Sequence, residues 1–178
     1  MEKEKNRKLS WEKTYMFRKV YELSEDSKKV AELKRKSIFS ADASGEIGNS
    51  RYLFESYGSF NRSLRIRNSV NNEKTGSIDL NWLGNNNGIL ELTSGQKYTW
   101  KCLDFFRGKW AWLDDAGNEI VTFHPKGLIN KNGTVYVTAG ENSRIDHDLL
   151  VLFGLHLKLF FNYWIIIIAV VIFAVLKD

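Results

Sequence analysis

The stretch Leu149-Leu150-Val151-Leu152-Phe153-Gly154-Leu155-His156-Leu157-Lys158-Leu159-Phe160-Phe161 decides how the rest of the chain must be arranged. It is apolar on every side of a helix rather than along one stripe, and such a helix belongs in a core or in a membrane. His156 and Lys158 stand two positions apart and point to nearly opposite sides. That suits a short core helix with its polar groups near an open end. The apolar run then continues through Asn162, Tyr163 and Trp164 to Leu176, where Lys177 and Asp178 close it. From Leu159 to Leu176 a helix spans roughly 27 Å at 1.5 Å per residue, close to the ~30 Å hydrocarbon thickness of a bilayer. The segment therefore divides into a central apolar helix over 146–161 and a transmembrane tail over 162–178. Tyr163 and Trp164 stand where an interfacial aromatic belt would lie.

Upstream of this segment the hydrophobic period is 2, not 3.6. Twelve short strands are predicted, at 14–23, 28–33, 37–41, 43–47, 51–56, 62–67, 75–82, 88–92, 97–104, 109–114, 118–124 and 133–138. Turn residues such as Asp26-Ser27, Asn71-Asn72, Ser94-Gly95 and Ala116-Gly117 separate them, because Gly, Asn and Asp accept positive φ. Strands at this spacing with no long helix between them pair antiparallel through hairpins, as in a sandwich or barrel. Residues 1–13 read as a charged N-terminal tail, and 14–145 as the β domain.

Composition excludes several functional classes. One Cys in 178 residues allows no internal disulfide and no Cys-based zinc site. Neither a secretory signal nor a helix-turn-helix, zinc-finger or aromatic-basic RNA pattern is present, so nucleic acid is not expected as a partner. The net charge of +5 resides entirely in the first 36 residues. Basic segments attract phosphate on anionic lipid. Alternation in 62–67 puts Arg65 and Arg67 on one face and Leu64 and Ile66 on the other. With Lys34, Arg35 and Lys36 they form the candidate headgroup-binding patch; a plain charged barrel surface is the alternative.

Catalytic chemistry is not legible. His124, His147 and His156 have no metal-type partners at helical spacing, and His147 between Asp146 and Asp148 reads as part of a helix cap. Asp114 to Glu119 lacks the ligand alternation and length of a calcium loop and reads as a hairpin turn. Cys102 reads as a small strand residue. No cofactor or metal is expected, and the chain reads as a non-enzyme. Trp82, Trp100, Trp110 and Trp112 are expected to pack as an aromatic core against the central helix, a ligand groove being the alternative.

Several motifs occur in a telling order: Arg51-Tyr52-Leu53-Phe54, Ser59-Phe60-Asn61-Arg62, Gly76-Ser77-Ile78, Gly88-Ile89, Gly95-Gln96-Lys97-Tyr98-Thr99-Trp100, Trp110-Ala111-Trp112 before Asp115-Ala116-Gly117, and Leu149 to Gly154. In that order they resemble the tubby C-terminal-like superfamily, which includes the LURP-one-related proteins and phospholipid scramblases, and most of all its small bacterial members. The resemblance covers about residues 14–161. It implies a closed antiparallel barrel of about twelve strands with the C-terminal helix through its centre, Leu149, Leu150, Leu152, Phe153, Gly154 and Leu157 among the helix residues. The physics agrees: closure removes sheet edges, and twelve strands enclose more space than their own side chains fill. No Pro-rich region, acylation cluster or acidic calcium loop of the scramblases is present, so scrambling is a third reading resting on the family alone. The expectation is a tail-anchored membrane protein with a cytoplasmic barrel that contacts anionic headgroups or a partner protein. The alternative is a soluble module with the whole C-terminal segment buried, binding an apolar ligand or a protein.

Overall fold

The computed structural model describes residues 6–14, 19–37, 40–57, 63–81, 88–127, 131–138 and 144–175, with the side chains of the last stretch described from 146 to 162. Twelve strands are followed by one helix. They are β1 (Arg7–Lys13), β2 (Val20–Glu25), β3 (Lys28–Arg35), β4 (Ala43–Ile47), β5 (Ser50–Tyr57), β6 (Ser63–Asn68), β7 (Lys74–Leu80), β8 (Gly88–Leu92), β9 (Lys97–Asp104), β10 (Lys109–Leu113), β11 (Glu119–Lys126), β12 (Asn132–Val137) and α1 (Arg144–Val175). Each strand pairs antiparallel with its neighbour in sequence, and β1 pairs with β12 to close the barrel. Closure pairs every edge, so no row of free backbone donors and acceptors is left. The period-2 pattern led us to expect about twelve antiparallel strands in a sandwich or barrel, and the resemblance implied a closed barrel with a C-terminal helix; the structure is mainly β, twelve-stranded and closed, with that helix.

Alternation places one face of each strand in the lumen, where Leu9, Leu23, Leu33, Phe54, Leu64, Ile66, Leu90, Trp100, Val121, Phe123 and Val135 are fully buried. From Leu149 to Phe161 α1 is buried on every side, and it contacts β3–β5 on one side and β10–β12 on the other. The helix therefore runs inside the barrel. It starts beside Arg7, which donates to Asp148 Oδ1 at 2.7 Å and pairs with Glu25 at 3.1 Å. It leaves beside Trp110, whose ring stacks on Phe161 at 5.0 Å, and Arg35, 5.9 Å from the Phe160 ring. We call these ends the N mouth and the C mouth. Among the described residues no helix is long and apolar enough to cross a membrane. The side chains of residues 163–178, the greater part of the expected transmembrane tail, lie outside the described residues.

Two segments differ from the sequence reading. Arg7–Lys13 is not a tail but β1, with Leu9 and Trp11 buried. Its period-2 pattern is hidden among charges, and its burial depends on β12, where Trp11 lies opposite Gly133. A Cβ on Gly133 would stand 2.2 Å from the Trp11 ring, so the glycine is the seat of the indole. The expected strand at 37–41 is absent from the described residues there. Ser37 Oγ accepts the Ser40 N–H at 3.3 Å, and Ser40 Oγ accepts the Asp42 N–H at 3.0 Å. Such local side-chain bonds bend the chain in place of a ladder.

At Gly154 α1 lies close against the wall. A Cβ there would lie 2.5 Å from both Trp112 Nε1 and a Phe123 ring carbon. The missing side chain lets the Trp112 indole N–H donate to the Leu150 carbonyl at 2.9 Å, inside the core. Gly154→Ala should therefore destabilise the chain by about 1–3 kcal/mol, the usual range for overpacking, although alanine is the better helix former. Thermal or chemical denaturation measures this. A variant as stable as the parent would show that the wall yields at no cost.

Candidate functional site

The expected basic patch is built on β3 to β6. Pairing aligns Lys34 with Ser44, Ser44 with Leu53, and Leu53 with Arg67, so one outward row crosses four strands. One step nearer the C mouth, the Lys36 N–H donates to the Asp42 carbonyl at 3.1 Å, and Glu55 pairs with Arg65. The four outward cations thus share one face, as expected, but acids are interleaved with them. Lys34 contacts Glu32, Lys36 lies 3.5 Å from Asp42, and Arg67 lies 3.3 Å from Glu55. The Arg65 guanidinium stands 5.0 Å from the Tyr57 ring. A surface of paired charges attracts anions less than its count of cations suggests.

Arg35 does not belong to that face. It is 5% exposed and points inward with Ala31 and Leu33, on the alternate side from Lys34. Its Nη2 donates to the Ser40 carbonyl at 3.3 Å and its guanidinium faces Phe160. The alternation Ala31, Leu33, Arg35 carried this information; the run of bases obscured it.

Arg35 is one of three basic groups buried towards the C mouth. His156 Nε2 donates to the Ala41 carbonyl at 2.7 Å, and its ring stacks on Phe54 at 5.4 Å. Burial, with Arg35 nearby, pushes this imidazole down to about 3, so it is neutral at ordinary pH. Lys158 is fully buried with its Nζ 5.6 Å from the Trp11 ring centre, and burial lowers it to about 7. Burial likewise raises the Cys102 thiol, the opposite of what an activated nucleophile needs.

The other sequence-selected residues resolve plainly. Leu149, Leu150, Leu152, Phe153 and Leu157 are buried in the lumen as expected, with Gly154 at the wall. Trp100 stacks on Trp110 at 5.2 Å and Trp112 on Phe153 at 6.0 Å, so these three indoles are aromatic core around the helix. Trp82, Tyr163 and Trp164 lie outside the side chains described. Asp114 accepts the Asn118 N–H at 2.8 Å and its side-chain amide at 3.0 Å, closing the β10–β11 turn. Asp148 pairs with Arg7 across the N mouth.

No protein-family model matches the chain, and no curated protein or solved structure matches it significantly.

The buried bases generate a pH dependence. Both His156 and Lys158 have folded pKa values below their ordinary values of 6.5 and 10.5. The unfolded chain therefore binds more protons in each window, and stability rises with pH there. From His156 the chain should lose stability as pH falls from about 6.5 towards 3; from Lys158 it should gain stability as pH rises from about 7 towards 10.5. Each slope is at most about 1.4 kcal/mol per pH unit. Denaturation curves across pH check this: His156→Phe should flatten the acid limb and Lys158→Met the alkaline one.

Proposed function

We propose that this chain is a non-enzymatic membrane protein, a barrel held at the bilayer by the extension of its own plug, with the C mouth turned to anionic lipid headgroups. The observation that supports the reading is that α1 continues past the segment that fills the lumen. The lumen is filled by Leu149 to Phe161, Asn162 is half-buried, and the helix continues to Val175. Its sequence there, with Ile165 to Ile168 consecutive and no charge before Lys177, is far more apolar than a solvent-facing helix needs. An uninterrupted apolar sequence of that kind suits a membrane or a protein contact. In this reading residues 162–178 form a single-pass anchor with Tyr163 and Trp164 at the interface. The barrel, whose first 36 residues hold the whole positive excess, stays on the cytoplasmic side. The tubby-like resemblance supports the same picture, since it unites such a barrel with membrane lipid.

Full-length protein in a membrane fraction should remain in the pellet through high-salt and alkaline washes. Ile166→Lys combined with Val170→Lys should release it, since each lysine costs about 2.5–3.5 kcal/mol at the centre of a spanning helix. Protease added to intact cells should leave the barrel uncut. Release of the unaltered protein by the alkaline wash would overturn the anchor and favour a soluble module that packs its C-terminal segment on protein.

A further inference from the structure

Strand direction sorts the chain's connections between the two mouths. β1, β3, β5, β7, β9 and β11 run towards the C mouth, and the other six strands run away from it. The six connections at the C mouth are therefore 14–19, 36–42, 58–62, 81–87, 105–108 and 127–131. Those at the N mouth are 26–27, 48–49, 69–73, 93–96 and 114–118, together with 138–143 before α1.

The two sets have opposite chemistry. In sequence, the C-mouth connections carry Arg18, Lys19, Lys36, Arg62, Arg107 and Lys131 against a single acid, Asp42. The N-mouth connections carry Asp26, Glu73, Asp114, Asp115 and Glu141 and no base. Large apolar residues divide in the same way. Val70 stands alone at the N mouth, whereas every C-mouth connection holds at least one, the pairs Ile38-Phe39, Trp82-Leu83 and Leu128-Ile129 among them. Those three pairs, and Arg18, Arg62 and Glu141, lie outside the described residues and enter as composition only.

The described instance is the β9–β10 hairpin. Phe105 is 53% exposed and Phe106 95%, the most exposed large apolar residue among those described. Gly108, at φ 60°, closes the turn that presents them. The two rings meet edge to face at 5.9 Å, and neither is buried against the barrel. Beside them a groove opens between the hairpin and the end of β11, lined by Phe106, Arg107, Lys109, His124 and Pro125. Arg107 and Lys109 lie 3.7 and 3.6 Å from Asp104, which also lines the groove, and Glu119, surface pairs weak enough for a lipid phosphate to compete with. An apolar tip flanked by bases, at the mouth from which the apolar helix emerges, has the make-up of an interfacial membrane contact.

We propose that the β9–β10 hairpin is a second membrane contact: Phe105 and Phe106 insert at the headgroup boundary of an anionic bilayer while Arg107 and Lys109 face lipid phosphates, fixing the barrel with its C mouth on the membrane. The proposal rests on the membrane reading above but not on the anchor. Full-length Phe106→Cys protein with Cys102→Ser, labelled with an environment-sensitive fluorophore, is reconstituted with vesicles of zwitterionic lipid containing phosphatidylserine. The same label at Ala116→Cys, in the β10–β11 turn of the N mouth, is the control. The label at 106 should be blue-shifted and quenched best by lipids carrying shallow nitroxides, at a depth of about 5–10 Å. The label at 116 should report water. Arg107→Ser with Lys109→Ser should return the label at 106 towards water, as should removal of the anionic lipid. A label at 106 that stays in water on protein that resists alkaline extraction would overturn the hairpin contact and leave the anchor standing. An inserted label on protein that alkali releases would sustain the hairpin contact and refute the anchor. Insertion at 116 would overturn the orientation.

Discussion

A twelve-strand barrel has a lumen that its own inward side chains do not fill, and everything else in this molecule follows from that deficit. The helix that fills it cannot be amphipathic, because every side meets the wall; hence the all-round apolar run Leu149 to Phe161. Each large side chain there contributes about 1.5–3 kcal/mol by leaving water. The fit is specific at one level of the lumen. At Gly154 the helix has no side chain, and Trp112 reaches past it to the Leu150 carbonyl. One absent methyl group thus sets both the depth of the plug and the placement of an indole that stacks on Phe153. Wall and plug form one cooperative unit.

The polar groups in the lumen follow the same geometry. Arg7 holds the N mouth by bridging Glu25 of β2 and Asp148 of α1, which joins the first strand to the last element. Towards the C mouth the buried polar groups are basic: Arg35, His156 and Lys158. His156 is kept neutral by burial and donates a hydrogen bond from Nε2 to the Ala41 carbonyl. Lys158 places its Nζ over the Trp11 ring. Burial holds these bases near one end of the helix, the end that also carries the basic connections.

Charge on the barrel wall therefore matters less than charge at its rims. On β3 to β6 outward cations lie beside acids, Lys34 by Glu32, Lys36 by Asp42 and Arg67 by Glu55, which keeps the surface polar without a strong field. In sequence, the connections between strands divide by sign, bases with aromatics in one set and acids in the other. In the reading proposed above, such a division would orient the barrel against an anionic surface, because attraction and repulsion would act on opposite ends. The direction agrees with that of the helix, whose apolar extension leaves by the basic mouth.

What the sequence determined by itself was local. Period 2, turn residues and an all-round apolar segment suffice for many antiparallel strands and one internal helix, because each is decided by neighbours along the chain. Arg35 was legible too, since Ala31 and Leu33 share its face, but a cluster of bases is easily read as surface. β1 was not legible: Leu9 and Trp11 are two apolar residues among charges, and only Gly133, more than a hundred residues away, gives the indole its seat. The bend at 37–41 depended on serine side chains that bond the backbone once β3 and β4 are side by side. The segregation of the two mouths was written in the connections all along, yet a connection belongs to a mouth only through the direction of the strands that flank it. β3 leads directly to β4 with no strand among the described residues of 37–41 between them, and that one fewer reversal decides which loops share an end.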